Sequence, residues 1–260
     1  MKIAANLSLL FTEYPLLERV AAAAEAGFQA VEIQFPYSLP AENLKCALAA
    51  HALPLVLINL PAADLMEGGP GLAAVPDRAD EFEQALAEAL AYAKTVKPLF
   101  INVLPGRLAA GVTRAVALET LVQRLRRCAE AFEPLGIGVL AEAINPLDMP
   151  GFLINTAQEL RDLVEQVNHP NMAAQLDLYH MARQQHESEE SIALLAGKIG
   201  HVQFADCPGR GEPGSGTLDF ARAMQALETA AYNSWWGAEY HPTTSDTRAS
   251  LGWLADWSAA

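Results

Sequence analysis

Four polar side chains stand inside or directly behind apolar segments in the second half of the chain, where buried strands are expected. They are Glu142 in "GVLAEAIN", Asp177 in "MAAQLDLYH", Gln203 in "IGHVQFADC" and Glu239 in "WWGAEYHP". A carboxylate is rarely buried unless a partner compensates its charge. A helix cap or an arginine could satisfy each one locally, but three carboxylates that converge would repel one another.

These four groups together have the chemistry of a divalent-cation site. Three carboxylates and one amide oxygen form a hard oxygen shell, which suits Mg²⁺ or Mn²⁺ better than a thiolate-loving metal. We therefore predict that Glu142, Asp177, Gln203 and Glu239 bind a divalent metal, and that neighbouring strands bring them together.

Eight apolar runs alternate with segments of helical period along the chain. The runs cover residues 2–10, 30–35, 53–61, 98–106, 138–145, 172–180, 199–207 and 235–242. Their number and spacing match a (β/α)₈ barrel, whose nearly continuous apolar strands are covered on both faces. A doubly wound open sheet is the alternative, although no GxGxxG follows the first strand. We predict an α/β fold with one TIM-barrel domain over residues 1–260, and chemistry at the C-terminal strand ends.

Further polar residues near the same strand ends are candidates for binding a substrate. Arg107 and Arg210 follow strands 4 and 7 in glycine-containing loops, and a guanidinium can hold a carboxylate with two hydrogen bonds. A solvated loop position is the alternative for each arginine. His180, three residues after Asp177, can orient the metal site, bind a substrate oxygen or simply pack at a helix start. Asn59 ends strand 3 and is a fourth candidate.

Two residues inside strands are predicted to lie deeper in the barrel. His201 precedes Gln203 by two residues, so strand alternation places both on the same side. We predict that His201 supports the metal ligands from below; an ordinary core histidine is the alternative. Glu32 on strand 2 is expected to reach the same end of the barrel, but strand 2 is distant from the four ligands.

The composition restricts the classes of partner. The chain has 260 residues and a net charge of −14, which disfavours nucleic acid and anionic membranes. No apolar run approaches the roughly 20 residues of a membrane span, and charges interrupt the N-terminal segment where a signal peptide would be apolar. Three scattered cysteines without a CxxC indicate free thiols in a reducing compartment. We predict a cytoplasmic protein with a small-molecule substrate; the sequence leaves a monomer or a homo-oligomer open.

Several segments resemble one enzyme family. "AEAINPLDMPGF", "QLDLYHMAR", "GHVQFADCPGRGEPGSG" and "GAEYHP" together resemble the hydroxypyruvate isomerase family, within the xylose isomerase-like TIM barrels. The likeness covers nearly the whole chain, and the group includes 2-oxo-tetronate isomerases. Carried over by position, it implies metal ligands at Glu142, Asp177, Gln203 and Glu239, with Glu142 and Glu239 also serving as the acid/base pair.

The resemblance implies an isomerase that converts hydroxypyruvate to 2-hydroxy-3-oxopropanoate through a metal-stabilised enediolate. One carboxylate would take a proton from one carbon and the other would return a proton to its neighbour. The alternatives are a 2-oxo-tetronate isomerase, or an epimerase or dehydratase of a sugar-like ketone. Metal-dependent endonucleases of abasic DNA share this barrel, but they need several metals, many histidine ligands and a basic groove, and this chain has six histidines.

Overall fold

The eight predicted strands close into a parallel barrel in the computed structural model, which describes residues 1–259. They pair in chain order, and the last strand pairs with the first. The strands are Lys2–Asn6 (β1), Ala30–Ile33 (β2), Leu55–Asn59 (β3), Phe100–Asn102 (β4), Gly138–Glu142 (β5), Met172–Asp177 (β6), Ile199–Phe204 (β7) and Trp235–Ala238 (β8). The predicted single-domain (β/α)₈ fold is confirmed; Ala260, the last residue of the predicted domain range, lies outside the described residues.

Helices alternate with the strands and cover the outside of the barrel. They are Leu16–Glu25 (α1), Ala41–Ala50 (α2), Ala79–Val96 (α3), Arg114–Phe132 (α4), Ala157–Val167 (α5), Leu178–Ala182 (α6), Ser188–Leu194 (α7), Phe220–Thr229 (α8) and Leu254–Ala259 (α9). Four of them, α4, α5, α6 and α8, begin at a side-chain cap. Thr156, for example, accepts a hydrogen bond from the backbone of Glu159, and the Glu159 side chain accepts one from the backbone of Thr156. The main hydrophobic core lies between these helices and the strands.

The interior of the barrel has two layers of different chemistry. In six strands an apolar residue is followed two positions later by a polar one, and strand alternation points both into the barrel. The lower layer consists of Ala4, Ala30, Leu57, Phe100, Leu140 and Ala173, which pack in one cluster. The upper layer, nearer the C-terminal strand ends, consists of Asn6, Glu32, Asn59, Asn102, Glu142 and Gln175, together with Asp177, Gln203 and Glu239 at the ends of the last three strands, all buried. The barrel is therefore closed by packing below and by polar contacts above.

The structure also describes the cysteines and the length and polarity of the helices. Cys46, Cys128 and Cys207 are all free thiols, as predicted. Burial raises the pKa of the Cys128 thiol well above its ordinary value, which makes it a poor nucleophile. Within the part of the chain that the structure describes, no helix is both long enough and apolar enough to cross a membrane.

Candidate active site

A cavity of about 240 Å³ opens at the C-terminal end of the barrel. One wall is polar and contains Glu142, Asp148, Gln175, His180, Arg210 and Glu239. The apolar part of the lining consists of Phe35, Met66, Leu104, Ile144 and Met149. A roomier groove of about 540 Å³ lies outside the barrel between α7 and α8, but small apolar side chains such as Ala193 and Ala226 form much of its lining. The convergent carboxylates make the barrel cavity the candidate active site.

The last residue of β5, Glu142, is almost fully buried at this end of the barrel. Its Oε2 accepts hydrogen bonds from Asn102 Nδ2 at 3.1 Å and from Gln175 Nε2 at 3.0 Å. Its Oε1 faces His180 Nε2 at 3.9 Å, beyond hydrogen-bond distance. Two neutral amides therefore orient the carboxylate but do not neutralise its charge.

Asp177 ends β6 beside Glu142. Its Oδ1 accepts the backbone N–H of Tyr179 and so caps the short helix α6. Its Oδ2 is buried and has no hydrogen-bond partner among the described residues. One ligand atom each of Glu142, Asp177 and His180 lies within 4.8 Å of the others, a separation that one metal ion could bridge.

Glu239 follows β8 directly and approaches from the other side of the cavity. Its Oε2 accepts a hydrogen bond of 2.6 Å from Arg210 Nη2, which also lies 3.6 Å from Asp177 Oδ2. Its Oε1 accepts from Gln34 Nε2 at 2.8 Å and from Asn6 Nδ2 at 3.0 Å. The Arg210 guanidinium is thus the positive charge between two of the carboxylates that were predicted as metal ligands.

Gln203 lies on β7 in register with Asp177 on β6, and its amide has a defined orientation. Its Nε2 donates to Glu32 Oε1 at 2.6 Å, and its Oε1 accepts from Gln175 Nε2 at 2.5 Å. Glu32 is fully buried and also pairs through Oε2 with His201 Nε2 at 2.7 Å. A Cβ at Gly237 would lie 2.5 Å from Glu32, so a glycine is required there. Glu32, which His201 holds in turn, therefore fixes the nitrogen of Gln203. This nitrogen also donates to Glu239 Oε1 at 3.3 Å, while the amide oxygen faces Gln175.

Electrostatics at the site follow from burial and charge. Burial, followed by repulsion from Glu239 and Asp177, raises the pKa of Glu142 well above its ordinary value. Burial likewise raises the pKa of Asp177 to about 7, partly opposed by Arg210, and it raises the pKa of Glu239. Burial and the neighbouring Arg210 lower the pKa of His180 to about 3, so the imidazole is neutral. Three crowded carboxyl groups thus share one arginine.

The loop that carries Arg210 is fixed by a buried carboxylate. Asp206 accepts four backbone N–H groups, from Cys207 and Leu218 at Oδ1 and from Gly214 and Gly216 at Oδ2, at 2.8 to 2.9 Å. A Cβ on Gly216 would lie 2.2 Å from the Cys207 carbonyl oxygen, so this turn admits only glycine. The glycine-rich "PGRGEPGSG" is a rigid loop that holds Arg210 over the cavity.

Of the remaining predicted residues, Asn59 lines the cavity and Arg107 does not. Asn59 is buried at the end of β3 and lines the cavity. Arg107 does not line it: its guanidinium donates to the backbone carbonyls of Leu65, Gly69 and Pro150 at 2.6 to 3.1 Å. These bonds join the loops after β3 and β5, so the prediction that Arg107 holds the substrate finds no geometric support. The reason is that its loop turns the side chain towards neighbouring carbonyls.

Several cavity residues had not been predicted as part of the site. Gln34 and Asp148 line the cavity, and Asn145 contacts His180. Glu32 reaches the network under the site because it accepts hydrogen bonds from Gln203 on β7, across the barrel interior, and from Asn6 on the neighbouring β1. The available signal was position: Gln34 and Asn145 end apolar runs, and Asp148 lies within the family segment "INPLDMPGF".

The residues present fit a divalent cation. The donors are carboxylate and amide oxygens, as Mg²⁺ and Mn²⁺ prefer. Asp177 Oδ2 is buried without a hydrogen-bond partner among the described residues, and three buried carboxyl groups share one arginine, so a divalent cation would balance their negative charge. A metal cation bound here would compete with the Arg210 guanidinium for the Glu239 carboxylate.

Comparisons with known proteins identify the family of the chain. Residues 20–257 match the family model of the xylose isomerase-like TIM barrel. Hydroxypyruvate isomerase of Escherichia coli is 40% identical over 98% of both chains. A 2-oxo-tetronate isomerase of Pectobacterium atrosepticum is 34% identical over 98% of this chain and 97% of its own.

Solved structures show the same fold. A crystal structure from Brucella melitensis, described as an AP endonuclease of family 2, superimposes with a TM-score of 0.94 at 38% identity over 98% of both chains. A 3-keto-D-glucoside 4-epimerase of Escherichia coli gives a TM-score of 0.82 at 22% identity over 98% of this chain and 99% of its own, which is a likeness of fold alone. The chain therefore belongs to the xylose isomerase-like TIM barrel family, within its group of hydroxypyruvate and 2-oxo-tetronate isomerases.

Proposed function

We propose that this enzyme interconverts hydroxypyruvate and 2-hydroxy-3-oxopropanoate. Glu142 and Glu239 would move the protons, and Glu142, Asp177, Gln203 and Glu239 would hold Mg²⁺ or Mn²⁺. The observation that carries the proposal is that the buried Glu142 and Glu239 line a small cavity, with Asp177 and its unpartnered oxygen next to Glu142. When bound, the cation would act as a Lewis acid on the carbonyl and lower the energy of the enediolate.

The reaction transfers one proton between two adjacent carbons. A base removes a proton from C3 of hydroxypyruvate, which gives the enediolate, and an acid delivers a proton to C2. The hydroxyl proton leaves O3 as the C3 carbonyl forms, and O2 gains a proton. Glu142 on β5 and Glu239 after β8 reach the cavity from different sides, so one carboxyl can serve each carbon.

Both carboxyl groups are held in place for this task. Amide donors fix Glu142 Oε2 and Glu239 Oε1 and leave the opposite oxygens towards His180 and Arg210. The pKa values of both carboxyls are raised towards neutral pH, where a group can both accept and return a proton.

Three further residues would bind the substrate. Arg210 is the one arginine or lysine among the described residues that line the cavity, so it would bind the substrate carboxylate. His180 and Asn59 would hydrogen-bond substrate oxygens, and His201 would support Gln203 through Glu32. A cavity of about 240 Å³ lies below the usual range of about 300–1,000 Å³ for ligand pockets, which favours a substrate of three or four carbons.

A 2-oxo-tetronate isomerase is the second candidate, because relatives at 34% and 36% identity carry that name. The same carboxylates could also serve an epimerase or a dehydratase of a sugar-like ketone, since each of these starts from an enolate. An endonuclease, the name given to the Brucella structure, is disfavoured here. Binding a phosphate backbone needs a basic groove, whereas this chain has a net charge of −14.

The test is a ¹H NMR assay of metal-loaded enzyme in D₂O with hydroxypyruvate and, separately, with 2-oxo-tetronate. We expect interconversion of hydroxypyruvate with its aldehyde isomer, no loss of water, and deuterium at the reacting carbon. Faster turnover of 2-oxo-tetronate would identify it as the preferred substrate and leave the proposed mechanism unchanged. Loss of water would indicate a dehydratase, and no reaction with either acid would contradict the proposal.

A further inference from the structure

The side chain of Asn145, in the loop after β5, has an orientation that four contacts determine. Its Oδ1 accepts the backbone N–H groups of Leu147 at 3.1 Å and Asp148 at 2.8 Å. Its Nδ2 donates to Asp148 Oδ2 at 3.1 Å and lies 2.7 Å from His180 Nδ1. A flipped amide would place N–H against two N–H groups and an oxygen against a carboxylate, so the observed orientation is the one that the surroundings permit.

This orientation decides which ring nitrogen of His180 carries the proton. An amide nitrogen can only donate, so Nδ1 of His180 must accept. A neutral imidazole with an accepting Nδ1 bears its hydrogen on Nε2. That Nε2 lies 3.6 Å from Asp177 Oδ2 and 3.9 Å from Glu142 Oε1, inside the candidate site. The ring therefore presents an N–H to the site instead of a lone pair.

We propose that Asn145 is a positioning residue that holds His180 as the Nε2–H tautomer, and so keeps this histidine out of the metal's ligand shell. The inference rests on the proposed function for its catalytic meaning, because the N–H would then donate to an oxygen of the substrate. It also bears on the metal, since one atom each of Glu142, Asp177 and His180 lies close enough for one ion. With Nε2 protonated, the shell consists of oxygen donors and favours Mg²⁺ or Mn²⁺ over Zn²⁺.

The contacts of Asp148 restrain the side chain of Asn145. Asp148 Oδ2 also accepts the Tyr179 hydroxyl at 2.6 Å, and Arg183 Nε lies 3.5 Å from Asp148 Oδ1. The Asp148 carboxylate is thereby held against the amide nitrogen of Asn145, and His180 itself is buried. The chain of contacts runs from Asp148 through Asn145 to His180, with the Nε2–H as its end.

The experiment measures the tautomer directly, on protein freed of metal and substrate, by two-bond ¹H–¹⁵N correlation of ¹⁵N-histidine-labelled enzyme. His180→Gln assigns the signal. We expect the Nε2–H pattern in the natural protein. In Asn145→Asp the new carboxylate accepts a hydrogen bond, so the ring should change to Nδ1–H and expose the Nε2 lone pair. Asn155→Asp is the matched control, because Asn155 donates to the Ile144 carbonyl and not to His180.

Metal selectivity is the second measurement. Isothermal titration should show the affinity for Zn²⁺ relative to Mg²⁺ rising at least about tenfold in Asn145→Asp and not in Asn155→Asp, the size typical of changes behind a metal ligand. An Nδ1–H or doubly protonated ring in the natural protein, or an unchanged ring in Asn145→Asp, overturns the inference. If the tautomer and selectivity behave as expected while neither keto acid reacts, the proposed function fails and the positioning role stands.

Discussion

The two layers inside the barrel are built on the same strands by opposite means. In the lower layer, Leu57 and Leu140 pack with alanines and carry no polar group that needs a partner. Two residues further along the same strands, Asn59 and Glu142 face the cavity, and burial raises the pKa of Glu142. The lower layer stabilises the barrel, whereas the upper layer holds like charges together at the expense of stability.

This difference teaches where function resides in the molecule. A residue can lie just two positions from the site and contribute only packing, because strand alternation moves it one layer down. The upper layer breaks the usual rules for buried groups: Asp177 Oδ2 is unpartnered and three carboxyls are crowded together. Such violations are expected at functional sites and not in a core that only has to be stable.

The largest expected effect is on catalysis in the upper layer. Glu142→Gln and Glu239→Gln keep the side-chain volume and one oxygen but remove the proton acceptor. Each should lower kcat by about 10²- to 10⁴-fold, the usual contribution of general acid/base groups. The melting temperature of Glu142→Gln should stay the same or rise because a buried charge is removed, whereas that of Glu239→Gln should fall because Arg210 loses its charged partner. Steady-state kinetics and calorimetry check this.

The two variants should also differ in D₂O. The one that retains the base for C3 should still exchange deuterium into hydroxypyruvate, and the other should show neither exchange nor isomerisation. Isomerisation and exchange at natural rates in both variants would contradict the two-carboxylate mechanism, and would move the proton transfer to another group such as His180.

A matched pair on β3 separates the layers. Leu57→Ala removes a buried lower-layer side chain and should lower the free energy of unfolding by about 2–5 kcal/mol, with little change in kcat. Asn59→Ala should leave stability nearly unchanged and raise KM by up to about tenfold, since a hydrogen bond contributes about 0.5–1.5 kcal/mol. Denaturant titrations and kinetics of both variants measure the contrast; equal effects on stability would erase the distinction between the layers.

The upper layer should make metal-free protein sensitive to pH. Burial raises the folded pKa of Asp177 from 3.8 to about 7, so this carboxyl destabilises the fold as it ionises. The melting temperature should therefore fall as pH rises through that window, by a few degrees for each ~1 kcal/mol lost. Mn²⁺ should restore stability most at the alkaline end. Asp177→Asn should flatten both dependences in differential scanning fluorimetry, and a melting temperature that rises with pH would contradict the assignment.

The smallest and most specific effects are expected from a substitution of Arg210. Arg210→Met removes the cation that pairs with Glu239, so Mn²⁺ should bind more tightly while KM for hydroxypyruvate rises, each by about tenfold, the value of one charge-assisted hydrogen bond. Arg107→Met is the control, because its three bonds join loops outside the cavity; it should lower the melting temperature alone. Unchanged or weaker Mn²⁺ binding in Arg210→Met would show that the two cations do not compete for Glu239.

The sequence predicted the fold well because hydrophobic periodicity is a local property. Each strand lies within a predicted apolar run, and α3 spans Ala79–Val96 as its helical period indicates. Polar residues inside apolar strands also pointed to the correct end of the barrel. The role of Glu32 under the site was not predicted, because nothing in the sequence of β2 shows that Gln203 and His201 contact it across the barrel.

Loop residues could not be placed from sequence. Arg107 and Arg210 both lie in glycine-containing loops after strands, yet one bonds neighbouring carbonyls and the other faces the cavity. The difference arises from Asp206, whose four accepted backbone N–H groups fix the second loop. The carbonyls that Arg107 binds lie 38 to 43 residues away along the chain, and no local pattern encodes such contacts.

The most direct test of the central claim is a crystal structure with Mn²⁺ and an anomalous difference map. The account predicts one peak bounded by oxygens of Glu142, Asp177, Gln203 and Glu239, at about 2.0–2.3 Å from each given the Mg²⁺ distance of about 2.0–2.1 Å, with Arg210 displaced from Glu239. A peak elsewhere, or one with His180 Nε2 as a ligand and the four oxygens beyond about 4 Å, would contradict it.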